Sequence, residues 1–515
     1  MIPLHGWAIG CSMAAAGFLL HSWPRWFNRY FGVDNWRTLA IADHLRRGKP
    51  LGRYHEARFL IPGVSDYPPA FRYLIAAFPK GLIERYEWAV APAIDACHSL
   101  WLFFVGWSVT HNLAVAVAAQ IVQMTSPLVM MENSSMTTRP LASLLFSLAF
   151  FPLICLPPAY QSPVLVGIGL VFLTLVLLTH RLTVQALWIL VLVFSVWDRS
   201  VFWVSIYLAT TLLAVLVSRG FYWTILRGQF AMFEYWRRNL PFRYAHQVRG
   251  LPSAGPQRDP DALMRLNQWI MRRGAFVAVP AANPATLLLP LAGWWLARHP
   301  GPLGGLDELL AQRLIVWGIA LLVAGMLIRQ VPALRMIGDG ERYLDAAVLP
   351  TALVVAALWT EAWQRPVPWL AAVIGATIVA ALGAAIYLQY HVVVKDVKCS
   401  IRPALWTILN YLKTSVSEGT TVAAIPIHLI PTVEYFTACR VLSTDSSPAH
   451  IEHLGQLYPF IRKPVPALLA EYGVQYLVLN EAYARLDEVG FPRDAVVCQA
   501  GSFVLVKAGR HPPGN

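Results

Sequence analysis

The sequence predicts a polytopic α-helical membrane protein that ends in a small soluble α/β domain. Of its 515 residues, 57% are hydrophobic and only 13% are charged, whereas a soluble domain carries roughly a quarter charged residues. The mean hydropathy is +0.51, and long uncharged blocks alternate with segments rich in Arg, Trp and Tyr. After about residue 395 the apolar runs shorten to the length of β-strands.

Apolar runs of membrane-spanning length recur along most of the chain. A helix needs about 20 apolar residues to cross a bilayer, because each backbone polar group must be paired within its own segment. By this criterion we predict about eleven spans. They lie near residues 5–22, 87–108, 111–131, 140–158, 162–179, 182–197, 200–217, 275–297, 311–329, 343–361 and 367–390.

Two long connections interrupt the spans, and a tail follows the last one. The sequence predicts a membrane domain over residues 1–393, with long loops at 22–86 and 218–274, and a C-terminal domain over residues 394–515. In the tail, runs at 422–426, 476–479 and 502–506 predict strands, and 403–412 and 464–471 predict helices. Strands that alternate with helices indicate an α/β fold.

The number of spans decides on which side of the membrane the loops lie. With an odd number and an inner N-terminus, both long loops and the tail are outside. This predicts a plasma (inner) membrane protein whose active face and C-terminal domain are extracytoplasmic. The positive-inside rule favours the opposite orientation, because arginines such as Arg25 and Arg29 follow the first span. The outer orientation therefore requires these arginines to have a function, such as binding lipid phosphate.

The excess of positive charge indicates an anionic partner. The formal net charge is +13, and a chain this apolar is unsuited to nucleic acid. Membrane lipid head groups, or a phosphate-bearing lipid substrate, fit the charge better. Charge bias that serves only to set the topology is the alternative interpretation.

The six cysteines give no evidence of a metal site. None of them has the spacing of metal ligands. Cys399, Cys439 and Cys498 lie in the tail, where one disulfide would be compatible with an oxidising compartment.

Two acidic residues stand out in the first loop. Asp34 begins a segment whose apolar side chains share one helical face and which ends at Gly48, so we predict an amphipathic helix on the membrane surface with Asp34 as its N-cap. Asp66 directly precedes a turn formed by Pro68 and Pro69. Asp95 lies within the second predicted span, where either a functional role or a hydrogen bond between helices would explain it.

These motifs together resemble the GT-C superfamily, membrane glycosyltransferases that take sugars from polyprenyl-phosphate carriers, such as mannosyltransferases and aminoarabinose transferases. The resemblance is carried by a first span, then Asp34, then a helix ending in Gly-x-Pro at 48–50, then Tyr-Pro-Pro at 67–69. The segment 131–140 is similar to the second acidic loop of the family, and 340–344 is similar to the entrance of its lipid-phosphate site.

The resemblance implies roles for three acidic residues. Asp34 matches the catalytic acid of the first loop and would act as general base on an acceptor hydroxyl, which is a poor nucleophile until a carboxylate takes its proton. Glu132 matches the acid of the second loop and would orient the acceptor or help to hold a divalent metal. Asp66 is the alternative candidate for the catalytic role assigned to Asp34. No ligand cluster supports a metal, so no cofactor is assigned and a divalent metal stays an open alternative.

The resemblance also implies cationic residues that hold the departing polyprenyl phosphate. Arg342, with Tyr343 beside it, is the first choice, and Arg139, His180 and Arg181 follow. The alternative for each is a side chain that reaches to the membrane interface, as basic and aromatic residues commonly do. For His180 and Arg181 this alternative is the favoured interpretation.

The predicted function is transfer of a sugar from a polyprenyl-phosphate donor to a hydroxyl of a glycan, lipid or protein acceptor on the extracytoplasmic side. Direct displacement by an activated hydroxyl implies inversion at the anomeric carbon. One alternative is a transporter or lipid flippase, which predicts charged or broken helices in matching positions of two halves. The other is a non-catalytic factor for envelope-glycan assembly on the same scaffold, in which Asp34 and Glu132 would be dispensable.

Overall fold

The structure, a computed structural model, describes residues 2–61, 63, 65–155, 162–243, 245–250, 262–365, 367–396, 399–442 and 455–508. The chain divides into two compact units. The membrane unit consists of Met1–Arg29, Trp88–Tyr222 and Ala262–Lys395, and the second unit of Tyr30–Glu87, Trp223–Asp261 and Asp396–Asn515. The second unit thus combines most of both long loops with the tail, and we call it the loop–tail unit.

Helices account for most of the described structure. The α-helices are Leu4–Phe27, Asp34–Arg46, Tyr54–Arg58, Ala70–Ala76, Lys80–Thr110, Leu113–Met124, Pro127–Glu132, Arg139–Ile154, Pro163–Leu177, Arg181–Trp197, Phe202–Val217, Phe221–Asn239, Ala262–Arg272, Ala275–Ala282, Leu288–Arg298, Glu308–Gln330, Val348–Gln364, Pro368–Gln389, Pro403–Ser415, Ile430–Phe436 and Val465–Glu471. Short 3₁₀ segments are Leu51–Arg53, Leu240–Phe242, Pro284–Leu287, Pro332–Ile337, Gly340–Ala347, Ile427–Leu429 and Arg493–Ala495, and Tyr390–Val394 is a π-helical turn.

Several helices of the membrane unit are long and apolar enough to cross a bilayer. Within the described residues, four helical segments qualify, or up to six if two sharply bent pairs each count as one span. Four shorter apolar helices accompany them. The chain is therefore an integral multi-pass membrane protein, as predicted. Most helices follow the predicted spans in position, and the number of spans stays a prediction. The predicted span 275–297 is instead two helical segments, Ala275–Ala282 and Pro284–Arg298, that meet at a bend of 118°.

Polar side chains cap three of these apolar helices at their start. The Asn112 side chain accepts a hydrogen bond from the Ala114 amide at 2.9 Å, and Ser162 Oγ accepts one from Val164 at 3.3 Å. The Asp307 carboxylate accepts from two backbone amides, at 3.0 and 3.2 Å. Such caps pair amides that have no partner within the helix.

An aromatic cluster and a buried ion pair hold the core of the membrane unit together. The Phe150 ring lies 4.9 Å from that of Trp317 and 5.3 Å from that of Trp203. Beside them the Arg313 guanidinium makes two bonds to the Asp198 carboxylate, at 2.6 and 3.0 Å. These contacts join helices 139–154, 202–217 and 308–330 to the end of helix 181–197. The ion pair was not predicted.

The tail forms a five-stranded mixed sheet, which confirms the predicted α/β domain. The strands are β1 (Thr421–Ile425), β2 (Arg440–Val441), β3 (Tyr476–Asn480), β4 (Val496–Ala500) and β5 (Phe503–Lys507). Their order is β2-β1-β3-β5-β4, with β1 parallel to β2 and β3, and β5 antiparallel to β3 and β4. The three predicted strands are β1, β3 and β5. The short β2 and the half-buried β4 were missed.

The first loop is folded into the loop–tail unit. Phe59 forms an isolated β-bridge with Val441 of strand β2. The Leu60 amide donates a hydrogen bond to the Val441 carbonyl at 2.9 Å. The Tyr54 hydroxyl donates to the carboxylate of Glu434, and both side chains are buried. The first loop therefore completes the packing of the tail.

Helix 34–46 differs from its prediction in two ways. Its buried residues surround most of the helix, because it packs against helices 70–76 and 430–436, with the Trp36 ring stacked 5.9 Å from that of Tyr435. The predicted single apolar face is therefore wrong, while a position at the membrane surface stays a prediction. Asp34 is the first helical residue and Val33 occupies the N-cap position, so the N-cap prediction is also wrong.

All six cysteines are free.

Candidate functional site

The five predicted cation-site residues lie together in the membrane unit. Arg139 begins helix 139–154, His180 and Arg181 begin helix 181–197, and Arg342 and Tyr343 lie on the 3₁₀ segment Gly340–Ala347. Arg139, Arg181 and Arg342 all act electrostatically on His180. Residues distant in sequence thus form one cluster, which we call the arginine cluster: Arg139, His180, Arg181, Arg342 and Tyr343.

The segment that carries Arg342 is fixed by three helices. The Tyr343 hydroxyl donates to the side-chain oxygen of Gln185 on helix 181–197. Trp317 Nε1 of helix 308–330 donates to the Ala346 carbonyl at 2.9 Å, and Ser143 Oγ of helix 139–154 donates to the Asp345 carbonyl at 2.8 Å. The backbone around Arg342 is therefore rigidly placed.

Arg342 and Arg139 both form ion pairs, and Arg342 is the more exposed of the two. Its side chain is 38% exposed, compared with 15% for Arg139. Its Nε lies 3.2 Å from Asp339 Oδ2, and it also acts electrostatically on Asp345. The neighbouring residues fix the backbone here, and the 38% exposed guanidinium can still donate hydrogen bonds to an incoming anion.

Asp339 and Asp345 were missed by the sequence reasoning, although a signal was present. They lie three residues before and three residues after Arg342. In a 3₁₀ helix, side chains three residues apart lie on the same face, and the segment Gly340–Ala347 has this conformation. The spacing would have identified the pair if the segment had been predicted as 3₁₀ rather than as a connection followed by a span from residue 343.

Burial, reinforced by the charges of the arginine cluster, keeps His180 neutral. Burial, together with Arg139, Arg342 and Arg181, holds the pKa of His180 well below its ordinary value. The ring lies in the loop between two helices, where Nδ1 is 3.1 Å from Thr183 Oγ1. At neutral pH this histidine is a hydrogen-bonding group rather than a cation.

Glu132 lies next to the arginine cluster. It ends helix 127–132 and forms an ion pair with Arg139, and both side chains are mostly buried. The second predicted acid is therefore joined to a predicted cation. Removal of Glu132 would leave Arg139 without this partner.

The other two predicted acids lie in the loop–tail unit and differ sharply in exposure. Asp34 is exposed, whereas its neighbour Asn35 is buried and donates to Glu87 Oε2 at 2.9 Å. Asp66 is fully buried. A Cβ added at Gly228 would lie 2.1 Å from Asp66 Oδ2, so helix 221–239 lies directly against this carboxylate.

Neither unit contains a metal-binding cluster among its described residues. No group of three or more His, Cys, Asp or Glu side chains could hold a metal ion there. Asp95, the remaining acid singled out in the sequence, contacts His21 and Gln123 at 2.9 and 2.6 Å.

Comparison with solved structures identifies the fold. The chain has a GT-C-like fold, because it aligns over almost its whole length with solved structures of ArnT and of the oligosaccharyltransferase AglB. The resemblance seen in the sequence is thereby confirmed at the level of the fold. No protein-family model and no curated protein sequence matches the chain.

Two solved proteins align over most of the chain. One is ArnT from Cupriavidus metallidurans bound to undecaprenyl phosphate, with a TM-score of 0.54, 12% identity and 100% coverage of both chains. The other is the archaeal oligosaccharyltransferase AglB from Archaeoglobus fulgidus, in complex with an inhibitory peptide and dolichol-phosphate. Its TM-score is 0.56 and its identity 11%, with 93% of this chain and 69% of the AglB chain covered.

Proposed function

We propose that this protein is a glycosyltransferase that moves a sugar from a polyprenyl-phosphate donor to a hydroxyl acceptor on the extracytoplasmic side of the plasma (inner) membrane. The observation that carries the proposal is the arginine cluster within a GT-C-like fold. ArnT and AglB share this fold and were solved with undecaprenyl phosphate and dolichol-phosphate.

The arginine cluster fits the leaving group of this reaction. When the anomeric carbon–oxygen bond breaks, negative charge develops on the polyprenyl phosphate, and preorganised cations stabilise that charge. Arg342 binds the phosphate in this proposal because its side chain is partly exposed and its segment is fixed. Arg139 and Arg181 add positive charge, while neutral His180 offers a hydrogen bond.

The exposed carboxylate of Asp34 is the proposed general base. It takes the proton of the acceptor hydroxyl as the oxygen attacks the anomeric carbon, and this direct displacement inverts the configuration. Asp66 is less suited to this role because it is fully buried against helix 221–239. Glu132 orients the acceptor and holds Arg139 through their ion pair.

The acceptor is a glycan, a lipid or a protein, and the surrounding lipids are further partners. Most of both long loops and the tail belong to one compact unit, which supports placing them on the same side of the membrane. Reporter fusions near Gly63 and after Tyr390 test this orientation. Fusions that both report a cytoplasmic position would place Asp34 on the wrong side and contradict the proposal.

Binding of polyprenyl phosphate tests the proposed cation site. Arg342→Ala is expected to weaken binding by about 10- to 100-fold, because a hydrogen bond to a charged group contributes about 1.5–3 kcal/mol. Arg365→Ala is the matched control. Arg365 is also a partly exposed arginine that pairs with a carboxylate, that of Glu361, and it follows the far end of helix 348–364. Equal affinities of the two variants would refute the assignment of Arg342.

Transfer assays separate the enzyme from its two rivals. With lipid-linked sugars as donors, Asp34→Asn should abolish sugar transfer while leaving polyprenyl-phosphate binding unchanged. A flippase would instead move the lipid across vesicles without cleaving it. A non-catalytic assembly factor would tolerate Asp34→Asn in cells.

A further inference from the structure

A buried polar network joins the first two helices of the membrane unit to the loop that carries Glu132. His21 Nδ1, on helix 4–27, lies 2.9 Å from Asp95 Oδ2 on helix 80–110. The same ring nitrogen lies 3.1 Å from the Asn133 side chain. His21 and Asn133 are almost completely buried, and Asp95 is 5% exposed. Asn133 directly follows Glu132, so the network ends beside the proposed acceptor-orienting acid.

The hydrogen bonds fix the proton content of the His21–Asp95 pair. His21 Nε2 lies 2.9 Å from the Met124 carbonyl, which can only accept, so Nε2 carries a hydrogen. A second proton lies between Nδ1 and the Asp95 carboxylate, because two acceptors cannot approach to 2.9 Å without one. The Asn133 amide therefore presents its oxygen, rather than its nitrogen, to the ring. Whichever atom carries this proton, the pair as a whole is neutral. A neutral, hydrogen-bonded pair can remain buried within the helices without an uncompensated charge.

A second contact from the same helix holds the loop one residue further along. Arg25, one helical turn after His21, is 1% exposed, and its guanidinium donates to the Ser134 carbonyl at 3.0 Å. Consecutive loop residues, Asn133 and Ser134, are thus bound by His21 and Arg25. Two anchors on one helix restrict both the position and the direction of the chain that leaves Glu132.

We propose that His21 and Asp95 are positioning residues that, together with Arg25, hold Glu132 and its partner Arg139 in the geometry needed for sugar transfer. Neither His21 nor Asp95 belongs to the arginine cluster, and both act through Asn133. The proposal rests on the proposed function for its catalytic consequence. Its structural consequence is that His21 holds the loop at 131–139 through Asn133, and this is independent of the reaction.

The test replaces both members of the pair. The double variant His21→Leu/Asp95→Leu keeps side chains of similar volume and removes both polar partners. Such replacement of a buried pair is often neutral or stabilising, so the protein should fold. Gln120→Leu is the matched control. Gln120 is fully buried and joins the same helices through hydrogen bonds to Gly10 and Ser99, at 3.0 and 3.1 Å, and neither bond involves the loop.

Hydrogen exchange and kinetics provide separate readouts. In the double variant, amide exchange over residues 131–139 should accelerate at least several-fold, while exchange in β3 and β5 and in the Gln120→Leu control stays at the parent rate. The value of kcat should fall by up to about 100-fold, as expected for a displacement of about 1 Å, with the KM for the lipid donor little changed. Combining the double variant with Glu132→Gln should cause no further loss, because one residue acts through the other.

The outcomes distinguish the two proposals. Unchanged exchange at 131–139, or a loss of kcat that multiplies with that of Glu132→Gln, would overturn the positioning role. Faster exchange in a protein that binds no polyprenyl phosphate and transfers no sugar would uphold the anchoring of the loop and refute the proposed function. Loss of folded protein in the double variant but not in Gln120→Leu would show a structural role and would also overturn the proposal.

Discussion

The contact between Gly325 and Gly340 is predicted to set the position of Arg342. A Cβ added at Gly325, on helix 308–330, would lie 2.5 Å from the Gly340 carbonyl oxygen. In return, a Cβ at Gly340 would lie 2.0 Å from the Gly325 carbonyl oxygen. Both obstacles are backbone atoms, which cannot rotate away as the end of a side chain can.

Gly325→Ala should therefore displace the segment that carries Arg342. Ordinary non-bonded contacts between heavy atoms begin at about 3.5 Å, so the methyl group is about 1 Å too close. Such overpacking costs about 1–3 kcal/mol of stability. A displacement of about 1 Å at the site should lower the rate of transfer by about 100-fold, and polyprenyl phosphate should bind more weakly.

The assay compares Gly325→Ala with Gly375→Ala in the purified protein. Gly375 lies in helix 368–389, and an added Cβ would meet nothing within 4 Å. The control should bind polyprenyl phosphate normally and be slightly more stable, because alanine favours the helix over glycine. Parent-like binding and transfer by a folded Gly325→Ala variant would refute the claim that this glycine contact positions Arg342.

Three further predictions concern stability. Arg313→Leu leaves the mostly buried Asp198 carboxylate without its charged partner and should cost about 3–5 kcal/mol, whereas the double variant with Asp198→Leu should recover much of this loss in thermal unfolding. Tyr54→Phe removes the donor to the buried Glu434 carboxylate and should cost about 1–3 kcal/mol, and no fall in the melting temperature would contradict the contact. Because the pKa of His180 is lowered in the folded state, the unfolded chain binds more protons as the pH falls below about 6.5. Stability should therefore decline in acid, and His180→Gln should reduce that decline compared with the parent protein.

The arginine cluster was largely predictable from the sequence because it lies where helices begin and end. Basic residues at the borders of apolar runs, such as Arg139 and Arg342, indicate a site near the membrane interface. The structure brings them together through connections that the sequence does not reveal. His180 and Arg181, for which interface anchoring was favoured, lie within the same cluster.

Features that depend on distant partners could not be predicted. Asp95 was recognised as unusual, but His21 lies on another helix and no spacing links the two. The environment of helix 34–46 was misread because one of its two packing partners, helix 430–436, lies hundreds of residues further along the chain. Periodicity shows which side chains are apolar, whereas the number of buried faces depends on how many elements pack against the helix.

Release of polyprenyl phosphate by the purified protein tests the account most directly. The protein is incubated with lipid-linked sugars extracted from its native cells, together with their acceptors, and free polyprenyl phosphate is measured by mass spectrometry. The account predicts release coupled to formation of a glycosylated product of inverted anomeric configuration, and loss of both with Asp34→Asn or Arg342→Ala. Equal release by the parent protein and both variants, or no release by a folded protein that also fails to bind polyprenyl phosphate, would contradict it.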